Sequence, residues 1–189
     1  MTVLETSRLR LRELEEGDAE FVLELVNEPA WLRFIGDKGV RTLGDARKYV
    51  REGPRTSYRK LGFGLWLVET KDARVPLGIC GLIRRETLPD VDLGFAFLAR
   101  HHGHGYARES ARAVVGIALT KFGLARLLAI TTPENERSIG LLLELGFAFE
   151  RMVRLSAGEP ELALYARELD VTRSTSGTLR SRGSSSSSG

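Results

Sequence analysis

The stretch Phe97-Leu98-Ala99-Arg100-His101-His102-Gly103-His104-Gly105-Tyr106-Ala107-Arg108-Glu109 joins two different periodicities, and its reading decides the fold. Upstream, Val91–Leu98 reads as a strand. Downstream, Ala107, Ala111, Val114, Val115, Ala118, Leu119 and Phe122 recur on one helical face, with Gly123 placed as a C-terminal cap. The junction has the spacing R-x-x-G-x-G-x-A. Glycines at 103 and 105 let the chain turn tightly and bring N–H groups to a ligand with no Cβ in the way. A helix start adds unpaired amide donors and a partial positive charge, so the junction reads either as an anion site or as a plain tight turn. It has no G-K-[ST], which disfavours a nucleotide P-loop, and Arg108 stands where a G-x-G-x-x-G would need its third glycine.

Working outward, three strand-like runs, Gly62–Thr70, Pro76–Glu86 and Val91–Leu98, are separated by the turn residues Lys71-Asp72 and Leu88-Pro89-Asp90, which predicts an antiparallel meander. Before them, Leu4–Leu14 alternates Leu9 and Leu11 with arginines as a strand. Asp18–Asn27 reads as a helix with Phe21, Val22 and Leu25 on one face and Pro29 beyond its end, and a weaker helix spans about Leu43–Arg51. After the junction helix come a strand at Leu127–Thr132, a helix at Asn135–Leu145 closed by Gly146, and strands at Phe147–Leu155 and Glu161–Glu168. The whole predicts a mixed α+β domain over 1–170, with a strand–helix–strand unit around the strongest helix. Residues 171–189 are rich in Ser, Gly and Arg and nearly devoid of large apolar side chains, so a disordered tail is expected there.

Composition narrows the function. The 189 residues suggest one domain, and 42% apolar residues suffice for a core without a disulfide or metal. No run approaches 18 consecutive apolar residues, and the opening residues lack the apolar run of a secretory signal, so no membrane association and a cytoplasmic location are expected. Cys80, the single cysteine, sits in the apolar run Pro76–Ile83 and reads as a buried, reduced thiol. The net charge of +3 belongs to the tail: setting aside Arg173, Arg180 and Arg182 leaves 25 basic residues against 25 acids. A neutral body gives no basic stripe for nucleic acid, and no nucleic-acid partner is expected.

Several segments, in this order and at these separations, resemble the GNAT superfamily of acyl-CoA-dependent N-acetyltransferases. The chain looks most like the branch acting on the N-termini of ribosomal proteins. Thr6-Ser7-Arg8-Leu9-Arg10-Leu11-Arg12 is similar to that branch's opening strand and Leu93-Gly94-Phe95-Ala96-Phe97 to its fourth strand. Arg100 to Ala107 resembles its pyrophosphate loop, Pro133-Glu134-Asn135-Glu136-Arg137-Ser138 its N-x-x-S segment, and Leu145-Gly146-Phe147 its closing turn.

The resemblance implies acetyl-CoA as co-substrate and a primary amine as acceptor, attacked directly in a ternary complex. The amine belongs to a protein N-terminus or a small molecule. It implies a mostly antiparallel sheet with a V-shaped splay between strands four and five, the fourth bulged, so that pantetheine lies between them bonded by backbone of Phe95, Ala96 and Phe97. The loop residues His102, Gly103, His104, Gly105, Tyr106 and Ala107, with Asn135, would complete the coenzyme site. Phe95 and Phe97 equally suit a core, and Asn135 equally suits a helix N-cap.

An amine of pKa about 8 to 10 must lose a proton before it attacks. Asp92 is the first candidate acceptor, on the strand face shared with Gly94 and Ala96, whose small size leaves room; the alternative is a solvated turn carboxylate. Glu69, Glu86 and Glu161 are weaker candidates. Ser138 matches the serine implied to protonate the leaving thiolate. The tyrosine that many relatives carry four residues later is Leu142 here, which leaves Ser138 or solvent as the acid. His101, His102 and His104 lack a Cys or acidic cluster to complete a metal site, and are expected instead to add charge toward the pyrophosphate when protonated. The acceptor side would be framed by Glu28–Lys60 and Ser156–Pro160. There Arg47, Lys48, Arg51, Arg55, Arg59 and Lys60 form either a cationic rim or a solvated helix face. Homodimers are frequent in the family, though no stretch marks an interface. A GNAT-like domain that binds acyl-CoA without turnover is the competing reading, separated from an enzyme by amine-dependent release of thiol.

Overall fold

Alternation alone cannot show where a strand folds back on itself, and the N-terminal run does so. In the computed structural model, which describes residues 1–170, Leu4–Leu14 is not one strand but a hairpin, β1 (Thr2–Glu5) and β2 (Leu9–Arg12). The turn closes because Thr6 N–H donates to Leu9 O and Thr6 Oγ1 accepts from Leu9 N–H. The tail expected over 171–189 lies outside the described residues.

The predicted meander follows as β3 (Leu65–Thr70), β4 (Pro76–Ile83) and β5 (Asp92–Phe97), each antiparallel to its neighbour. The strong helix is α5 (Tyr106–Thr120), a crossover to the parallel strand β6 (Arg126–Thr131). The final hairpin is β7 (Ala148–Val153) and β8 (Leu162–Glu168), with β8 inserted beside β6, so the eight strands run β1-β2-β3-β4-β5-β6-β8-β7. Every pairing is antiparallel except β5–β6, the mixed α+β class that the sequence predicts.

The remaining helices are α1 (Ala19–Val26), α2 (Pro29–Phe34), α3 (Leu43–Glu52), α4 (Pro54–Leu61) and α6 (Glu136–Glu144). Two of these are corrections to the sequence reading. Pro29 does lie beyond the end of α1, but it also opens α2, and Pro54 opens α4, two helices the sequence reading did not give; proline's fixed φ and missing N–H suit the first helical turn.

The sheet has a core on each face. On one, α5 and α6 cover Trp66, Val68, Cys80, Leu82, Leu93 and Phe97. On the other, α1 and α3 cover Leu67, Ile79 and Leu98. Cys80 is fully buried, and burial pushes its thiol up to about 12, the inert reading. Among the described residues no helix is long and apolar enough to cross a membrane.

Candidate active site

The site begins with a mismatch between two ladders. Pairing of β5 to β4 runs unbroken from Asp92↔Ile83 to Phe97↔Gly78. Leu98 N–H donates to Leu77 O, which fixes the alternation. Backbone groups of Asp92, Gly94 and Ala96 face β4, and those of Leu93, Phe95 and Phe97 face β6. β6 meets them at a single pair, Asp92↔Leu128, closed by Leu128 N–H donating to Val91 O at 2.9 Å. Beyond it the strands part, and the N–H and C=O of Phe95 point into the gap. This is the expected V, displaced to β5 and β6 because the opening segment is two strands rather than one. The expected bulge is absent: the β4–β5 register shows no shift, and the splay arises from β6 turning away to pair with β8 along its whole length. The side chains of Phe95 and Phe97 pack on the α5 side of the sheet, so they are core aromatics whose backbone faces a cleft.

The loop from β5 to α5 crosses the open end of that V. Gly103 and Gly105 both take left-handed φ, 81° and 78°, which L side chains rarely adopt, so the glycines are demanded by the backbone. Gly105 is the N-cap of α5 and supplies no side chain, so the N–H groups of Tyr106, Ala107 and Arg108 are left without a capping side chain. Tyr106 and Ala107 pack partly on the main core, while His104 stacks on the Tyr106 ring at 5.6 Å.

Residues that the sequence reading passed over hold this loop in place. Glu109, in the first turn of α5, accepts from Thr6 Oγ1 (2.5 Å), Ser7 Oγ (3.1 Å), Arg8 N–H (3.0 Å) and Arg8 Nε (2.7 Å). Arg8 also donates to His104 O at 3.0 Å and lies over the Tyr106 ring. Burial works to raise the Glu109 pKa, but the donors from Thr6, Arg8 and Ser7 outweigh it and hold the carboxyl below its ordinary value. Thr6-Ser7-Arg8 is thus a buttress for the start of α5 and the loop before it, joined to Glu109 across more than a hundred residues of sequence.

Two of the three loop histidines, His101 and His102, sit where a charged ring is disfavoured in the free protein. His102 Nε2 bonds Phe97 O at 2.9 Å and its Nδ1 bonds Arg137 Nη1 at 2.8 Å. A guanidinium only donates, so Nδ1 is the bare nitrogen and Nε2 carries the proton, a neutral ring. Burial first, and Arg100 next, hold His101 below the usual histidine value. Its Nε2 is buried without a partner, as is Thr132 Oγ1 just beyond β6, on the other side of the opening.

Asp92 sits at the apex of the V with 1% of its surface exposed, which rules out a solvated turn carboxylate. Arg85 Nε reaches both carboxylate oxygens, at 3.1 and 3.2 Å. Burial pushes the carboxyl up to about 6 even though Arg85 opposes the shift. The room expected above Gly94 is filled: a Cβ there would come within 2.7 Å of Ile83 Cδ1. The alternative acids have other occupations. Glu69 is buried among Arg10, Arg12 and Arg74, Glu86 is exposed, and Glu161 lies at the surface near Arg154.

On the β6 side, Asn135 is the N-cap of α6, its Oδ1 accepting from Ser138 N–H at 3.3 Å. Ser138 is half-buried, and its hydroxyl has no partner among the described residues. Leu142, one turn later, is buried in the main core, so this position faces packing rather than the cleft. The cationic rim is partly neutralised, because Arg51 and Arg55 both pair with Glu16, at 3.2 and 3.4 Å.

Comparison with known proteins places this geometry. Residues 8–148 match the acetyltransferase (GNAT) domain family. The uncharacterized protein YkkB of Bacillus subtilis (strain 168) is 28% identical over 170 residues, covering 88% of this chain and 96% of YkkB. The uncharacterized N-acetyltransferase YoaA of the same organism is 27% identical over 153 residues, 80% of this chain and 86% of YoaA. Among solved structures, RimL, a ribosomal L7/L12 alpha-N-protein acetyltransferase in complex with coenzyme A, superposes with a TM-score of 0.77 at 18% identity, over 90% of this chain and 99% of RimL.

Proposed function

This chain belongs to the GNAT acetyltransferase family, and on that premise we propose that it moves an acetyl group from acetyl-CoA to a primary amine by direct attack in a ternary complex. The acceptor is a small-molecule amine or a protein N-terminus; the likeness in fold to RimL favours the latter. The observation that carries the reading is the single-pair β5–β6 ladder, which leaves Phe95 N–H and C=O facing a gap that ends at the uncapped start of α5. A pantetheine arm carries amides that satisfy such a strand edge, and a diphosphate satisfies the helix start. The fit extends to the rest of the loop. His102, Gly103, His104, Gly105, Tyr106 and Ala107 form the diphosphate cradle, with Asn135 at the facing lip.

In the reaction the amine nitrogen forms a bond to the thioester carbon while the C–S bond breaks. The proton shed by the amine goes to Asp92, directly or through water. Asp92 suits this task because a carboxyl near 6 is ionised at neutral pH yet more basic than an exposed aspartate. A backbone N–H of β5 faces the thioester oxygen and stabilises the developing negative charge. The departing thiolate takes its proton from Ser138 or solvent, since Leu142 offers none.

The test is release of free thiol from acetyl-CoA, measured with and without an amine panel that includes peptides bearing free N-termini. Amine-dependent release is expected, and Ser138→Ala should lower kcat more than it weakens acetyl-CoA binding. Binding of acetyl-CoA with no release for any acceptor would refute the transferase reading.

A further inference from the structure

Four arginines surround the loop that the proposed reading gives to the diphosphate, and three of them are already neutralised. Arg8 pairs with Glu109 at 2.7 Å, Arg100 with Glu24, and Arg108 with Glu144 at 2.7 Å. The fourth, Arg137 in the first turn of α6, has no carboxylate partner among the described residues. Its hydrogen bond goes to the neutral imidazole of His102. Arg112 is likewise without a carboxylate, but it lies six residues into α5, about 9 Å from the helix start at 1.5 Å per residue. No lysine lies within 99–109.

Arg137 is also placed by the cleft itself. His102 bonds Phe97 O, the last backbone acceptor of β5 on the cleft side, and Arg137 projects from the helix that follows β6. The chain Phe97 O–His102–Arg137 therefore spans the open end of the V, from one arm to the other. A ligand threading that opening passes beside the one uncompensated guanidinium at the mouth.

We propose that Arg137 is the charge partner of the coenzyme's phosphates, positioned by His102 in the free protein. The inference rests on the acetyl-CoA reading above and adds to it the residue that discriminates phosphate-bearing from phosphate-free acyl donors. Because His102 Nδ1 is an acceptor, it holds the guanidinium without cancelling its charge, unlike the carboxylates on Arg8, Arg100 and Arg108. Arginine suits the task because its planar donors match phosphate oxygens two at a time.

The test measures the dissociation constant of acetyl-CoA, and kcat/KM for acetyl-CoA and for acetyl-pantetheine, which lacks the phosphates. Arg137→Gln should raise the acetyl-CoA dissociation constant on the order of tenfold, the loss of one charge-assisted contact. It should leave kcat/KM for acetyl-pantetheine within about twofold. Arg137→Lys should recover part of the affinity, and Arg112→Gln, a matched loss of positive charge, should leave it unchanged. An unchanged acetyl-CoA affinity in Arg137→Gln, or an equal loss with both donors, would overturn the assignment. Wild-type protein that binds no acetyl-CoA at all would instead remove the underlying reading.

Discussion

A buried carboxyl that is ionised at working pH exacts a cost in stability, and Asp92 allows that cost to be measured. Its carboxyl is pushed from 3.8 up to about 6 by burial, with Arg85 opposing. A carboxyl whose pKa is raised in the folded state contributes stability that is fully present below the unfolded value and is lost as pH rises through the folded one. At about 1.4 kcal/mol per pH unit, the gap between 3.8 and about 6 amounts to about 3 kcal/mol, of which about 2 kcal/mol accrues between pH 4.5 and 7.5. Asp92→Asn keeps the shape and cannot ionise. Urea unfolding of wild type and D92N at matched pH values isolates this residue, because all other titrations are common to both. The stability of D92N relative to wild type should rise by about 2 kcal/mol from pH 4.5 to 7.5, while amine-dependent turnover at pH 7.5 collapses. A flat difference across that range would mean that Asp92 is not held in a desolvated, charge-disfavouring place, and a falling one would mean that Arg85 over-compensates the burial.

Gly105→Ala should destabilise the protein by about 1–2 kcal/mol, because φ of 78° is left-handed and costs an L residue about that much, and it should weaken acetyl-CoA binding further by shifting the start of α5. Thermal unfolding with and without ligand measures both effects. Glu109→Gln should cost about 2 kcal/mol at pH 7 by removing the charged acceptor of Thr6, Ser7 and Arg8. Because the Glu109 pKa is lowered on folding, its contribution is present above the ordinary glutamate value and lost as pH falls through the folded one. Wild type and E109Q should therefore converge in stability in acid; a constant gap would place the effect in packing instead.

Much of the frame was legible in the sequence because it rests on local periodicity. The 3.6-residue recurrence from Ala107 to Phe122 marked α5 within two residues, and the short polar turns between β3, β4 and β5 announced their antiparallel pairing. Gly103 and Gly105 were readable as a tight turn because few other residues tolerate that backbone. What stayed hidden depends on contacts distant in sequence. Alternation through Leu4–Leu14 conceals the turn at Thr6-Ser7-Arg8, whose purpose emerges only when Glu109 arrives from 101 residues or more away. α4, Pro54–Leu61, reads Pro-Arg-Thr-Ser-Tyr-Arg-Lys-Leu and buries only Pro54, so it lacks the apolar stripe that reveals a helix. Asp92 read equally well as a proton acceptor on a strand face and as a solvated turn carboxylate, because its burial depends on pairing with β4 and β6, which local sequence does not reveal. Arg137 carries no motif of its own; its importance follows from which of its neighbours are already paired.

The most direct test of the account is the melting temperature of the protein with and without acetyl-CoA, with ATP and NAD as controls. Ligand at about 100 times its dissociation constant should add about 2.7 kcal/mol of stability, a rise of several degrees seen with acetyl-CoA alone. No rise at millimolar acetyl-CoA, or an equal rise with ATP, would contradict the claim that the β5–β6 cleft and the loop before α5 are built to hold that coenzyme.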